Sequence, residues 1–178
     1  ELCRDIAQRF NSDFNVDDFL KVPEPLIQKN FSRIMSLKDG MKKMSKSDPS
    51  DLSRINLTDE KDLIVNKIKK AKTDPMPMPT NEENLEKRPE VENLLGIYSS
   101  LSNQTLEQSK KEFNGKNFSD FKEKLSDLLV EKIDPISKEI KKLLNDEKHL
   151  DNILFDGSQK ADTIASKKIR EIKQLIGF

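Results

Sequence analysis

The sequence has almost none of the cysteine and histidine side chains on which zinc sites and many nucleophilic catalysts depend. Its 178 residues include no tryptophan, one cysteine (Cys3) and one histidine (His149). A single cysteine excludes an internal disulfide, so we expect a reducing compartment. A lone histidine without a cysteine cluster argues against a zinc site and against a serine–histidine triad. We therefore predict no metal bound by the protein's own side chains.

An excess of charge and long apolar runs are absent as well. The 32 basic and 32 acidic residues cancel, and apolar residues make up 34% of the chain against 36% charged residues. A net charge of zero argues against a globally basic nucleic-acid-binding protein but allows a local basic face. No run is long enough to cross a bilayer, so we expect no membrane contact. The composition favours amphipathic helices over a buried parallel sheet.

Lys43 and Lys46 stand three residues apart in the segment GMKKMSKSDP, which runs from Gly40 to Pro49. Ammonium groups and short hydroxyl side chains are good hydrogen-bond donors to phosphate oxygens. Glycine allows the backbone to turn and proline ends regular structure, so the segment is expected to be a mobile loop. We call Lys43–Ser47 the lysine loop and predict that it binds a polyphosphate. Solvated lysine-rich loops are common, so these five residues alone do not establish that function.

Apolar periodicity and helix-end signals predict helices along most of the chain. The predicted elements are a helix over residues 1–12, a short strand from Phe31 to Leu37, a helix from Thr58 to Ala71, an extended packed connector over residues 74–86, a helix from Pro89, a helix from a Thr105–Gln108 capping box to Phe113, a long helix from Asn117 with a kink at Pro135, and a final segment from Leu150 that Gly157 divides. Strands are too few to build a sheet alone. We therefore predict residues 1–57 as the end of a larger α/β domain and residues 58–178 as a helical bundle.

Several faces of these helices carry further expectations. In the helix over residues 58–71, the side chains expected to face the core are Leu63, Ile64, Ile68 and Ala71. The final segment has an apolar stripe that includes Ile153, Leu154, Ala161, Ile164, Ala165, Ile169, Ile172 and Ile176. Basic side chains that could contact nucleic-acid phosphates are Lys67, Lys69, Lys70, Lys72, Lys160, Lys167, Lys168, Arg170 and Lys173. For each of them a solvated helix face is the simpler interpretation.

Four blocks, in order, resemble the bacterial tryptophanyl-tRNA synthetases, a family of class I aminoacyl-tRNA synthetases. They are Glu1–Asn11, Arg33–Leu37 with the lysine loop, Arg88–Tyr98 and Asp156–Phe178. The tyrosyl-tRNA synthetases are the nearest alternative, and the last two blocks favour the tryptophanyl family. The resemblance implies a mainly α chain, in which a helical anticodon-binding bundle follows the tail of a Rossmann-type α/β catalytic domain.

The resemblance also implies a reaction. Proteins of this family use ATP and Mg²⁺ to convert L-tryptophan to tryptophanyl-adenylate, and then transfer the amino acid to tRNA(Trp). The lysine loop would close over ATP, with Lys43 and Lys46 as the catalytic cations on the leaving pyrophosphate. The residues that would bind ATP are Ile34, Lys43, Met44, Ser45, Lys46 and Ser47. Ile34 would pack against the adenine, although a plain core position explains that residue equally well.

The chain begins inside an amphipathic helix and without methionine, and the family's first ATP motif and tryptophan pocket do not occur in it. We therefore expect a fragment that is inactive alone. The resemblance implies that the full protein is a homodimer, and we expect it in the cytoplasm, with the matrix of an organelle as the alternative. Two non-catalytic interpretations are a helical RNA-binding module with a vestigial lysine loop and an interaction bundle without a ligand. The second leaves the four blocks unexplained.

Overall fold

The computed structural model describes residues 1–26 and 32–178. In chain order the elements are α1 (Leu2–Asp13), β1 (Met35–Ser36), β2 (Asp39–Lys43), a 3-10 turn (Asp51–Ser53), α2 (Lys61–Lys70), α3 (Pro89–Ser102), α4 (Leu106–Phe113), α5 (Phe118–Leu144) and α6 (Glu147–Ile176). The prediction of a mainly α chain is confirmed. Within the described ranges, no helix combines the length and the apolar character needed to cross a membrane.

The described residues group into two compact units. Those of Glu1–Gln28 and Asp146–Phe178 form one, which we call the terminal unit, and those of Lys29–Asn145 form the other, the central unit. The terminal unit contains α1 and α6, and the central unit contains all the other elements. The functional division predicted between residues 57 and 58 stays a prediction.

The core of the central unit forms where α2, α3 and α5 pack together. Three aromatic rings lie at its centre. Phe113 meets Phe121 at a centroid distance of 4.8 Å and an angle of 77°, and Tyr98 meets Phe113 at 4.8 Å and 86°. Edge-to-face contacts of this kind add stabilisation beyond the buried area. Other apolar side chains buried here include Ile64, Ile68, Leu94, Leu95, Leu125 and Leu129.

Three helix-end signals of the central unit lie where the sequence predicted them. Pro89 is the first residue of α3. The capping box is complete, because the Thr105 hydroxyl accepts from the Gln108 N–H while the Gln108 side chain accepts from the Thr105 N–H. Asn117 precedes α5, which continues through Pro135 to Leu144. Local signals therefore fix where these helices begin.

The connector between α2 and α3 is packed and contains no helix or strand, as predicted, but turns at residues 81–82 and 86–87 interrupt the extended course that the sequence predicted. Arg88, which is only 4% exposed, fixes it from the start of α3. The guanidinium group donates to Asp74 at 2.8 Å, to Glu83 at 2.9 Å and to the Pro77 carbonyl at 2.7 Å. Met78 is buried in the core beneath these contacts. One guanidinium group thus ties three points of the connector together.

Four predictions about helix ends and faces are wrong. The N-cap of α2 is Glu60 rather than Thr58, so the helix begins at Lys61, and Leu63 is exposed. Lys67 is fully buried, because two carboxylates described below surround its ammonium group. α6 runs without a break through Gly157. An exposed glycine inside a helix costs only about 1 kcal/mol relative to alanine, which is too little to divide a helix of 30 residues.

The predicted strand before the lysine loop is shorter than expected, and a second strand was not predicted. β1 pairs antiparallel with β2, with Met35 opposite Lys43 and Ser36 opposite Asp39. Phe31, where the predicted strand begins, lies outside the described residues. The two strands form a hairpin, so the first residue of the lysine loop belongs to a strand.

The terminal unit is held by a few polar and aromatic contacts. The Asn11 side chain donates to the Leu20 carbonyl at 2.8 Å and accepts from the Leu20 N–H at 2.9 Å. Lys168 of α6 donates to the Phe19 carbonyl at 3.1 Å and lies 4.2 Å above the Phe19 ring. Ala7 is the one buried residue in the described part of this unit. The apolar stripe of α6 is therefore largely exposed.

Candidate functional site

The lysine loop is stabilised mainly by hydrogen bonds within itself and to the strand before it. The Met44 N–H donates to the Ile34 carbonyl at 3.0 Å, and the Met44 side chain packs against the central core. The hydroxyl groups of Ser45 and Ser47 lie 3.0 Å apart, and the Ser47 N–H donates to the Ser45 hydroxyl at 3.3 Å. These local bonds can be exchanged for bonds to a ligand without breaking the core.

Both lysines of the loop have exposed side chains. Neither Lys43 nor Lys46 takes part in an ion pair within residues 1–26 and 32–178. The neighbouring Lys42 differs, because its ammonium group lies 3.6 Å from the Asp39 carboxylate. The charges of Lys43 and Lys46 are therefore available to an anionic ligand.

The upstream end of the loop is fixed to α3. The Asn93 side chain accepts from the Met35 N–H at 2.8 Å and donates to the Met35 carbonyl at 2.9 Å, so one amide holds both backbone polar groups of Met35 in β1. In β2, a β-carbon on Gly40 would lie 2.6 Å from the Pro89 carbonyl carbon and 2.6 Å from the Glu90 nitrogen. Glycine is needed here for a close approach of two backbones. The sequence-based interpretation of Gly40 as a free turning point is wrong.

The downstream end of the loop is held by an ionic network. The buried Lys67 ammonium group lies 2.6 Å from Asp59 and 2.7 Å from Asp51. Arg54 lies 3.2 Å from the same Asp51 carboxylate and donates to the Asp48 carbonyl at 2.8 Å. The hydrogen bond from Lys67 is the main reason that the pKa of Asp51 falls below its ordinary value. A phosphate contact by Lys67, which the sequence suggested, is excluded by this burial.

Ile34 and Met44 flank the loop in different ways. Ile34 is 43% exposed and is not part of the core, so the alternative of a plain core position does not hold. Met44 is half-buried, and part of its side chain is used in core packing. Ile34 therefore presents an exposed apolar side chain at a residue whose carbonyl is hydrogen-bonded to the loop.

A cavity of about 400 Å³ opens between the hairpin and the start of α3. Its lining residues are Arg33, Met35, Gly40, Met41, Glu86, Pro89, Glu92 and Asn93. Neither Lys43 nor Lys46 lines it. The cavity is therefore next to the hairpin but does not enclose the lysine loop.

Comparison with known proteins identifies the family. Residues 1–154 match the family model described as tRNA synthetases class I (W and Y), where the letters stand for tryptophan and tyrosine. The chain belongs to this family. It is 46% identical over its whole length to the tryptophan–tRNA ligase of Brucella melitensis, covering 55% of that protein, and 49% identical to that of Caulobacter vibrioides, covering 52%. It thus spans about half the length of the curated relatives that it matches.

Solved structures of class I tRNA synthetases agree with this assignment. Tryptophanyl-tRNA synthetase from Mycoplasma pneumoniae matches with a TM-score of 0.82 at 28% identity, over 98% of this chain and 51% of that one. The enzyme from Campylobacter jejuni in complex with ADP and tryptophan gives a TM-score of 0.63 at 24% identity, over 98% and 52% of the two chains, and shows the common fold. The resemblance to tryptophanyl-tRNA synthetases predicted from four sequence blocks is confirmed.

Among the residues predicted for the candidate ATP site, five follow one another from the end of β2 through the loop: Lys43, Met44, Ser45, Lys46 and Ser47. Ile34 joins them through its hydrogen bond to Met44. The sequence analysis missed Asn93 and Lys67, which hold the two ends. An asparagine inside an apolar helical segment is a signal for Asn93, because a buried amide needs partners. Lys67 gives no such signal, since it is one of several lysines on its helix.

Proposed function

We propose that this chain supplies the ATP-binding loop and the helical tRNA-binding part of a tryptophan–tRNA ligase. The observation that carries this proposal is the pair Lys43 and Lys46, two exposed cations on a loop held at both ends. The chain also shares 46–49% identity with the tryptophan–tRNA ligases of Brucella melitensis and Caulobacter vibrioides. These relatives favour tryptophan over tyrosine as the amino acid.

In the proposed reaction, the carboxylate of L-tryptophan attacks the α-phosphorus of ATP. The bond from this phosphorus to the bridging oxygen breaks, pyrophosphate leaves, and tryptophanyl-adenylate forms. Negative charge grows on the leaving pyrophosphate, so a cation placed there binds the transition state more tightly than the ground state. Lys46 and Lys43 supply this charge, with Lys46 as the main contact.

The other loop residues bind and orient the nucleotide. Ser45 and Ser47 exchange their mutual hydrogen bond for donation to phosphate oxygens. The exposed side of Ile34 packs against the adenine ring, and Met44 contributes its backbone and thioether nearby. These contacts place the triphosphate against the two ammonium groups.

ATP is proposed to enter with Mg²⁺. In the described parts of the chain, no group of three histidine, cysteine, aspartate or glutamate side chains is arranged to hold a metal ion. We therefore assign the ion to the phosphates and no side chain of this chain to the ion. When bound, it would neutralise phosphate charge alongside the lysines.

The remaining partner is tRNA(Trp), and the full protein is proposed to be a cytoplasmic homodimer. Exposed basic side chains that suit phosphate contacts are Lys69, Lys70, Lys160, Lys167, Arg170 and Lys173. Lys72 and Lys168 are weaker candidates, because Lys72 pairs with Glu90 at 2.7 Å and Lys168 with Glu171 at 2.8 Å. Salt-dependent binding of an anticodon stem-loop, measured for variants of each unit separately, tests these side chains.

The proposal predicts that Lys46→Ala in the full-length protein greatly slows adenylate formation. We expect kcat for tryptophan-dependent exchange between ATP and pyrophosphate to fall about 100-fold, because one transition-state contact is lost. Tryptophan binding should be unchanged, since Lys46 does not contact the amino acid. Exchange of labelled pyrophosphate and equilibrium titration with tryptophan measure the two quantities.

Lys42→Ala is the matched control, since Lys42 is a lysine of the same hairpin that pairs with Asp39. It should leave kcat within about two-fold, the effect of losing an exposed ion pair. Equal losses in Lys42→Ala and Lys46→Ala, or a loss of tryptophan binding equal to the loss of exchange, would contradict the assignment. RNA binding without any exchange activity in the full-length protein would favour the non-catalytic module.

A further inference from the structure

A buried ammonium group on α2 connects this helix to the lysine loop. Lys67 is fully buried, and its Nζ has Asp59 at 2.6 Å and Asp51 at 2.7 Å. Removing an ammonium group from water is unfavourable unless good ion pairs compensate it. A lysine at this position therefore requires a carboxylate partner. Both carboxylates that contact it belong to the segment between the loop and α2.

The two carboxylates have different surroundings. Asp59 is 5% exposed, and it also accepts from the Asn56 N–H at 2.9 Å and from the Asn56 side chain at 3.1 Å. Asp51 is 49% exposed and lies in the 3-10 turn that follows the loop. The contact from Lys67 to Asp59 thus stabilises the start of α2, while the contact to Asp51 reaches toward the loop.

Arg54 is a second cation, and it links Asp51 to the residue that follows the loop. Arg54 lies 3.2 Å from the Asp51 carboxylate and donates to the carbonyl groups of Asp48 at 2.8 Å and Ser50 at 3.4 Å. Asp48 is the residue directly after the lysine loop. Its own carboxylate accepts from the Ser50 N–H at 2.7 Å, which tightens the turn. Asp51 therefore contacts the side chain that holds the backbone at the end of the loop.

The upstream end of the loop has a different support, since Asn93 of α3 holds β1 there. The lysine loop thus lies between one end fixed to α3 and another fixed to α2. Between these supports, the hydrogen bonds that the described residues make around Lys46 are local ones, which join Ser45 to Ser47 and to Asp48. We therefore expect a change at either support to move Lys46 without any change in the loop sequence.

On the basis of the proposed function, we propose that Lys67 and Asp51 are positioning residues for Lys46. The buried Lys67 fixes Asp51, Asp51 fixes Arg54, and Arg54 fixes the backbone at Asp48. This series of contacts sets the downstream end of the lysine loop so that the Lys46 ammonium group reaches the leaving pyrophosphate. Asp51 touches no substrate in this arrangement and acts only through the loop.

Asp51→Asn in the full-length protein is the direct test. The substitution removes the charge that holds Lys67 and Arg54 but leaves the buried pair of Lys67 and Asp59 intact, so the fold is retained. Trypsin cleavage after Lys43 and Lys46, without ligand, should become about five-fold faster, as expected when partly exposed ion pairs no longer restrain the loop. The kcat for exchange should fall by about the same factor, with tryptophan KM unchanged.

Two further variants keep the test decisive. Asp62→Asn changes an exposed acid on α2 that joins none of these contacts, and it should match the wild type in cleavage and in kcat. Arg54→Gln breaks the next contact in the series and should reproduce Asp51→Asn. If Asp51→Asn and Arg54→Gln both leave tryptic cleavage at the wild-type rate, the positioning role is refuted. A lower kcat accompanied only by a lower Tm would also refute it, because that result indicates a purely structural role.

Failure of this inference can be distinguished from failure of the proposed function. The cleavage rate without ligand reports on the loop alone and does not depend on catalysis. If Lys46→Ala keeps full exchange activity, the proposed function fails. This conclusion does not depend on the rate at which trypsin cleaves the Asp51→Asn variant. If Lys46→Ala abolishes exchange while Asp51→Asn changes neither cleavage nor kcat, the function stands and the positioning role fails.

Discussion

α5 and α6 are similar in sequence pattern but differ in what covers them. α5 has 27 residues and buries Phe121, Leu125, Leu129 and Ile133 in the central core. α6 has 30 residues and no buried residue, and its Phe155 is 63% exposed and its Ile164 76% exposed. An apolar stripe shows which face of a helix needs a partner. It does not show whether the same compact unit provides that partner.

The largest difference between the two helices should appear on truncating one aromatic side chain in each. Phe121→Ala removes a fully buried ring that contacts Phe113, and it should lower the free energy of unfolding of the central unit by about 3–5 kcal/mol. Phe155→Ala removes a ring that is 63% exposed, and it should change the free energy of unfolding by less than about 0.5 kcal/mol. Urea denaturation followed residue by residue by NMR measures both effects.

The outcome also shows whether α6 is packed more tightly in solution than in this structure. A loss above about 2 kcal/mol on Phe155→Ala would mean that the ring is buried against a partner. In that case the contrast between α5 and α6 would be wrong. A Phe155→Leu variant, which keeps an apolar side chain, should then recover most of the loss.

Substituting one glycine in each unit by alanine should change the free energy of unfolding in opposite directions. Gly40→Ala places a methyl group 2.6 Å from backbone atoms of Pro89 and Glu90, so the hairpin must move and the central unit should lose about 1–3 kcal/mol. Gly157→Ala meets no atom within 4 Å and lies inside α6, so it should stabilise the helix by about 0.5–1 kcal/mol. The same NMR-detected denaturation measures both changes.

Each glycine variant is a control for the other, because both substitutions add one methyl group to glycine. A difference between them therefore reflects the surroundings of the two positions. If Gly40→Ala leaves stability unchanged, the close approach of the hairpin to α3 does not persist in solution. If Gly157→Ala destabilises α6, the helix does not continue through that position, and the break predicted from the sequence would be restored.

Local sequence signals predicted the helices, whereas contacts between residues distant in sequence determine the second strand and the burial of single side chains. Pro89 and the Thr105–Gln108 box act within one helical turn, so they could be recognised directly. β2 was missed because a glycine and two lysines are typical of a loop, and only pairing with β1 and packing on α3 make them a strand. A helix with several lysines does not show which one is buried.

The candidate site likewise contains residues that the sequence predicted and residues that only the structure shows. The loop residues from Lys43 to Ser47 were identified by resemblance to a family, which composition and periodicity could not have done. Asn93 and Lys67 hold the loop through partners 58 and 16 positions away, at Met35 and Asp51. Such pairs depend on how α2 and α3 pack around the hairpin. They could be found only once that packing was known.

The smallest expected difference between the two units is their response to acid. Several carboxyl groups of the central unit have a lowered pKa, mainly because basic side chains donate hydrogen bonds to them: Asp51, Glu60, Glu83, Glu90 and Asp134. Glu171 is the corresponding group among the described residues of the terminal unit. A folded-state pKa below the unfolded value stabilises the protein above the unfolded pKa. This stabilisation is lost as the pH falls through the folded-state pKa.

We therefore expect the central unit to lose more stability than the terminal unit as the pH falls from about 6 to about 3, across the ordinary range of aspartate and glutamate. The effect should be modest and should shrink at high salt, because most of these pairs are partly exposed. Glu90→Gln, which removes the partner of Lys72, should reduce the acid sensitivity of α3, whereas Glu92→Gln, an exposed neighbour, should not. Urea denaturation by NMR at several pH values measures this. Equal acid sensitivity of α3 and α6 would show that these ion pairs do not distinguish the two units.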